Sequence, residues 1–170
     1  MHPLDTQRAL VLDIHPKRVG IAVLEGPESL LDWEVKSFRG GRNAVRVPFR
    51  TRVSQLISEW QPDAVVLKKP PTARVALKTR AIQELAKSSH IGVAFVERQA
   101  IDDVFSSHNN KYERARLIVG SFPVLAPRLP PKRKAWQSEH YQLSIFDAVA
   151  LGLAYFGRPR GLQPEQRQAD

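Results

Sequence analysis

The sequence predicts an α/β fold: a mixed five-stranded sheet with helices on both faces. Three observations lead there. The stretch ALVLDIHPKRVGIAVL (9–24) places two apolar runs around a tight basic turn, the pattern of a β-hairpin. Two shorter apolar runs, AVVL (64–67) and IGVAFV (91–96), each follow a stretch of helical periodicity, as strands reached by crossovers do. The segment 141–156 is apolar on almost every side, which suits a helix buried against a sheet.

Residues 8–14 and 19–25 read as the strands of the hairpin, and Gly26-Pro27 as the next turn. From Leu30 to Phe38 apolar and charged residues alternate, with Leu31, Trp33 and Val35 on one face and Asp32, Glu34 and Lys36 on the other. That is a half-buried third strand of an antiparallel meander. Gly40-Gly41 breaks the chain. Val45, Phe49, Val53, Leu56, Ile57 and Trp60 recur at helical spacing over 43–60, with Pro48 near the start, where proline is best tolerated.

Pro62-Asp63 ends that helix. AVVL follows as a central strand buried on both faces, and it ends in Lys68-Lys69. A helix over 74–88 leads to the strand 91–96, with Glu97-Arg98 at its C-terminal end. Two short helices are expected within 99–121, broken near His108-Asn109-Asn110, and then an irregular proline-rich stretch over 122–137. Gly157 and Pro159 end the last helix. The chain therefore divides into one domain, 1–157, and a polar tail, 158–170, expected to be flexible.

The 170 residues suffice to bury a core without staples. There is no cysteine, which excludes disulfides, thiolate metal sites and thiol nucleophiles and suits the cytoplasm. The start, MHPLDTQ, lacks a charged-then-apolar signal pattern, and no apolar run approaches the roughly 20 residues that span a bilayer. The formal net charge of +9 points to a polyanionic partner, most simply nucleic acid.

Three carboxylates stand in apolar surroundings. Asp13 is the single acid among Leu10, Val11, Leu12 and Ile14; Glu97 ends an apolar strand; Asp147 sits in the middle of the apolar last helix. An unpaired buried charge costs several kcal/mol, so each needs a partner. Each also has a plain reading, as a turn residue, a strand-end acid or a salt-bridged helix residue. Converging carboxylates require a counter-charge, and Mg²⁺ or Mn²⁺ is the usual solution.

These residues carry a resemblance. Asp13-Ile-His-Pro-Lys17-Arg18-Val-Gly20-Ile-Ala22 resembles the opening Asp-x-Gly-x-Lys-Arg-x-Gly-x-Ala motif of YqgF-type proteins, RuvC-related members of the ribonuclease H-like superfamily. Phe95-Val-Glu97-Arg98 resembles their Asp-Glu-Arg, and Phe146-Asp147-Ala148-Val149-Ala150 resembles the closing helix motif of YqgF-type proteins and RuvC-type Holliday-junction resolvases. The order and spacing extend from about residue 8 to 157. Lys111 to Ala126 further resembles a lysine-bearing helix of the RuvC family. There are departures. Ile14-His15 replaces the motif's glycine, Lys68 stands where RuvC-type enzymes have a glutamate, and Ser144 where they have an aspartate.

The resemblance implies a ribonuclease H-like fold and an Mg²⁺- or Mn²⁺-dependent nuclease for branched DNA, of Holliday-junction type, or structured RNA. Asp13 and Asp147 would be metal ligands, and Glu97 would complete the site or position the attacking water. Glu139, His140 and Ser144, at the start of the last helix, would assist. Lys68 near the acids would instead pair with them and give a non-catalytic binding module. RuvC-type enzymes work as dimers, so the resemblance admits a homodimer, while nothing in the sequence fixes the oligomeric state. An actin-like nucleotide-binding protein shares a similar opening strand, but this chain lacks further glycine-rich phosphate loops.

For nucleic acid, the densest cluster is Arg128, Lys132, Arg133 and Lys134 with Trp136: basic groups for phosphates and an aromatic for a base. Lys17, Arg18, Lys68 and Lys111 would extend that surface, with Lys69, Arg74, Lys78 and Arg80 beside them.

Overall fold

Strand β1, Arg8–Ile14, is the centre of the sheet. In a computed structural model the described residues are 7–38, 42–70, 72–105 and 110–157, with the backbone alone at 42–47 and 74. The expectations for the tail 158–170, the Gly40-Gly41 break, the His108-Asn109 break and the side chains of Val45 and Arg74 lie outside those residues.

β1 pairs antiparallel with β2, Arg18–Glu25, and β2 with β3, Ser29–Ser37. β4, Ala64–Lys68, and β5, Gly92–Val96, add in parallel, giving the order β3-β2-β1-β4-β5. The crossovers are α1, Arg42–Trp60, and α2, Ala73–Ser88; Thr72 caps α2 by accepting the Val75 N–H at 3.4 Å. Then follow α3, Arg98–Val104, α4, Lys111–Ser121, a 3-10 helix, Pro123–Arg128, and α5, Leu143–Phe156. Pro48 lies in the second turn of α1, deeper than the sequence suggested.

Alternation along the strands divides the core in two. Ala9, Val11, Ala22, Leu24, Val66 and Val96 face a layer that includes α5 residues such as Ile145, Val149 and Leu151. Leu10, Leu12, Ile14, Ile21, Val65 and Leu67 face the other layer, with Phe49, Val53 and Leu56 of α1 and Val75 and Ile82 of α2. Each such side chain is worth about 1.5–3 kcal/mol when fully buried. β4 is buried on both faces, as its unbroken apolar run requires.

β3 departs from the simple alternation. Asp32 pairs with Val23 and Leu30 with Leu24, so Leu31 is an extra residue, a bulge. It packs into the α1/α2 layer while Trp33 and Val35 pack with the α5 layer. β5 is likewise more exposed than its apolar sequence suggests, because it is the edge strand.

Candidate active site

Asp13 continues the Ala9–Val11 face of β1 and so points toward α5. Its pairing partner on β2 is Gly20. A Cβ at Gly20 would lie 1.9 Å from the Ser144 carbonyl oxygen. The missing side chain therefore lets the first turn of α5 rest directly on β2. One turn further on is Asp147, brought over the end of β1.

Three ligand atoms converge there. One from each of Asp13, His15 and Asp147 lies within 4.8 Å of the others, a group suited to hold a metal ion. Asp13 is 3% exposed, and its Oδ2 lies 2.9 Å from His15 Nε2. Burial by itself would raise the Asp13 carboxyl, but the hydrogen bond and charge of His15, with Lys68 and Lys111 nearby, hold it below its ordinary value. Asp147 goes the other way. Burial and the Asp13 carboxylate push it up, against the pull of Lys111. The two neighbouring acids are thus driven in opposite directions, a pattern that catalytic pairs share with structural ion-pair networks.

The cation beside the acids is Lys111. Its Nζ donates to Glu139 Oε1 at 3.0 Å and to Asp147 Oδ2 at 3.1 Å. Asn110 caps α4 by accepting the Tyr112 N–H at 2.8 Å, which makes Lys111 the first residue of the helix. A cation at a helix N-terminus opposes the helix dipole. The two carboxylates more than compensate: burial works against the Lys111 charge, yet Asp147 and Glu139 hold its pKa above the ordinary lysine value.

Ser144 is fully buried and accepts a hydrogen bond from Arg18 Nε at 2.8 Å; Arg18 Nη2 reaches Glu139 Oε1 at 3.3 Å. Arg18, expected at the phosphate surface, is thus built into the site wall. Where RuvC-type enzymes have an acid, this chain has a neutral hydroxyl held by a guanidinium.

Two expected members are not brought in. Glu97 precedes α3 at the end of β5, without a side-chain capping bond, two strands from β1 and roughly 10 Å away at ordinary strand spacing. Its side chain is 71% exposed and lies 3.7 Å from Lys69. His140 is exposed, stacks on Tyr141 with ring centroids 4.8 Å apart, and accepts the Gln142 N–H through Nδ1 at 3.3 Å. It is a helix-start histidine. Lys68 lines the cleft beside Asp13, His15 and Thr72 and, among the described residues, forms no ion pair with either aspartate. The residue that the sequence reading missed is His15, taken there only for a turn residue in a glycine's place. Its spacing of two from Asp13 at a strand end was the available signal.

The basic loop flanks the same centre. A groove runs from Lys111 and Glu139 past Tyr112 to Lys132, Arg133 and Lys134. Arg133 Nη1 donates to the Gln137 carbonyl at 2.9 Å and Lys134 N–H to Gln137 Oε1 at 2.9 Å, which closes the loop. Trp136 is 79% exposed, with Lys134 Nζ 5.3 Å from its ring centroid. Lys17 and Arg128 are exposed as well.

No protein-family model matches the sequence, and no curated protein matches it. Solved structures do match. The sheet order and its covering helices are of the ribonuclease H-like class, and the particular fold is that of the RuvC-like Holliday-junction resolvases. RuvC of T. thermophilus in complex with a Holliday junction substrate matches with a TM-score of 0.62 and 17% identity, over 86% of this chain and 91% of that one. The yeast mitochondrial Holliday junction resolvase gives 0.64 and 12%, over 91% and 81%. The fowlpox virus Holliday junction resolvase gives 0.52 and 15%, over 88% and 97%.

Proposed function

We propose that this chain is a divalent-metal-dependent endonuclease that cuts branched DNA. The observation that carries the reading is the convergence of Asp13, His15 and Asp147, with Lys111 bonding Asp147 from a groove lined by Lys132, Arg133 and Lys134. A bound Mg²⁺ or Mn²⁺ ion would polarise a phosphoryl oxygen and lower the pKa of bound water. Asp13 and Asp147 hold the ion. Lys111, beside them, neutralises excess carboxylate charge and faces the incoming phosphate. Lys132, Arg133 and Lys134 contact the backbone of one arm, and Trp136 offers a flat surface to an unstacked base. That RuvC of T. thermophilus and the yeast mitochondrial enzyme, whose folds this chain resembles, are Holliday-junction resolvases favours a four-way junction over structured RNA. A homodimer belongs to the same proposal. Glu97, outside the cluster, is given no part in it.

A second reading rests on Lys111. Its ammonium already bonds Asp147 and Glu139, so it is placed to serve as the counter-ion and leave a junction-binding module without catalysis. One experiment separates the two. The protein is incubated with labelled four-way junctions and with structured RNA in Mn²⁺, beside Asp13→Asn and Asp147→Asn. Junction cleavage lost in both variants supports the nuclease. Tight junction binding without cleavage supports the module, and cleavage of RNA alone reassigns the substrate.

A further inference from the structure

His15 has more to do than bond Asp13. It follows β1 directly and stands two residues from Asp13, so strand alternation puts both side chains on one side while Ile14 packs on the other. Its backbone is pinned at both ends: its N–H donates to the Arg18 carbonyl at 2.9 Å, and its own carbonyl accepts Lys78 Nζ at 3.0 Å. The backbone that carries the ring is thus held, and the ring itself is bonded to Asp13.

The geometry suits ligation. Two ligands at about 2.1 Å from one ion and at a right angle are about 3.0 Å apart. Asp13 Oδ2 and His15 Nε2 are 2.9 Å apart, the separation of neighbouring ligands, and the Asp147 ligand atom closes the set. On ligation Nε2 would bind the ion through its lone pair, and the proton between Asp13 and His15 would pass to solvent.

The donor chemistry then discriminates between ions. An all-carboxylate pocket suits Mg²⁺, which takes oxygen ligands and retains its waters. Imidazole nitrogen is a donor for transition ions. Among the described residues the converging group is Asp13, His15 and Asp147, with Glu139 paired to Arg18 and Lys111 beside it and Glu97 remote. We propose that His15 is the third protein ligand of the metal site and that its nitrogen makes the site select Mn²⁺ over Mg²⁺. The inference rests on the metal-site part of the function proposed above and extends it from two carboxylates to a mixed nitrogen and oxygen set.

The test reads ligation directly, apart from cleavage. The full chain is titrated with Mn²⁺ alone, and the bound ion is examined by pulsed electron paramagnetic resonance for coupling to ¹⁴N. Mg²⁺ competition is measured on the same samples. The wild type and His140→Ala are expected to show ¹⁴N coupling, and His15→Ala to lose it with about 10-fold or greater loss of Mn²⁺ affinity. Because His15→Ala also strips buried Asp13 of its side-chain partner, His15→Asp is the companion. It should still bind Mn²⁺, lose the ¹⁴N coupling, and compete better with Mg²⁺. Bound Mn²⁺ without ¹⁴N coupling in the wild type overturns the inference and leaves the nuclease reading intact. Coupling that persists in His15→Ala also overturns it. Absence of Mn²⁺ binding overturns it together with the metal-dependent reading.

Discussion

Gly20→Ala is the sharpest test of how this site is assembled. The added Cβ would stand 1.9 Å from the Ser144 carbonyl oxygen and 2.6 Å from its carbonyl carbon, where ordinary contact begins at 3.4 Å. The obstacle is backbone, so no side chain can turn away. The first turn of α5 must retreat by about 1.5 Å, the difference between 3.4 and 1.9 Å. Overpacking of a close-packed core costs about 1–3 kcal/mol, and a clash with helix backbone belongs at the upper end, about 3 kcal/mol. With a urea dependence of about 2 kcal/mol per M, the unfolding midpoint falls by about 1.5 M. Asp147 rides on the same helix, so the retreat also separates it from Asp13, and Mn²⁺ affinity falls with stability. The control is Gly120→Ala in α4, where a Cβ would meet nothing within 4 Å. That change should stabilise by about 0.5–1 kcal/mol through helix propensity. The assay is urea unfolding followed by circular dichroism. A Gly20→Ala midpoint within 0.3 M of wild type would refute the reasoning.

Two other outcomes follow from the electrostatics. Asp147 has a folded-state pKa above its ordinary value of 3.8, so the native state holds the proton more tightly than the unfolded chain, and the stability this confers is lost as pH rises from 3.8 through the raised value. Asp147→Asn removes that loss: its melting temperature should match wild type at acid pH and exceed it at neutral pH, and a lower value at pH 7 would count against a strained carboxylate. Removing Lys132, Arg133 and Lys134 together should flatten the salt dependence of junction binding, the log–log slope falling by about 2.7 if each neutralises one phosphate. An unchanged slope, measured by fluorescence anisotropy across a salt series, would place the DNA elsewhere.

Much of the fold was legible because local patterns and tertiary structure agree. The hairpin at 9–24 is marked by its turn between two apolar runs, the run AVVL by its shortness, and the last helix by its length, and each agrees with the packing around it. The exceptions have local causes. The Leu31 bulge and the exposure of β5 depend on pairing register and on which strand lies at the edge, and neither is written in a strand's own sequence.

For the site, the sequence by itself determined that Asp13 and Asp147 were costly acids in need of partners, because the apolar neighbours of each on its strand or helix can neither pair with nor hydrogen-bond a carboxylate. It also determined that basic charge would gather before the last helix. Only the tertiary structure decided which partners those acids have. Strand order put Glu97 two strands away, although its strand-end position looked right. The close approach at Gly20 set Asp147 over Asp13. The start of α4 brought Lys111 to the acids, where Lys68 had been the candidate, and the end of β1 turned His15 from a loop residue into a neighbour of both aspartates. Burial is readable from periodicity along one element. The Asp13–His15 pair is encoded in a spacing of two on one strand end, but the approach of Asp147 and Lys111 depends on how separate elements pack, which no spacing along the chain encodes.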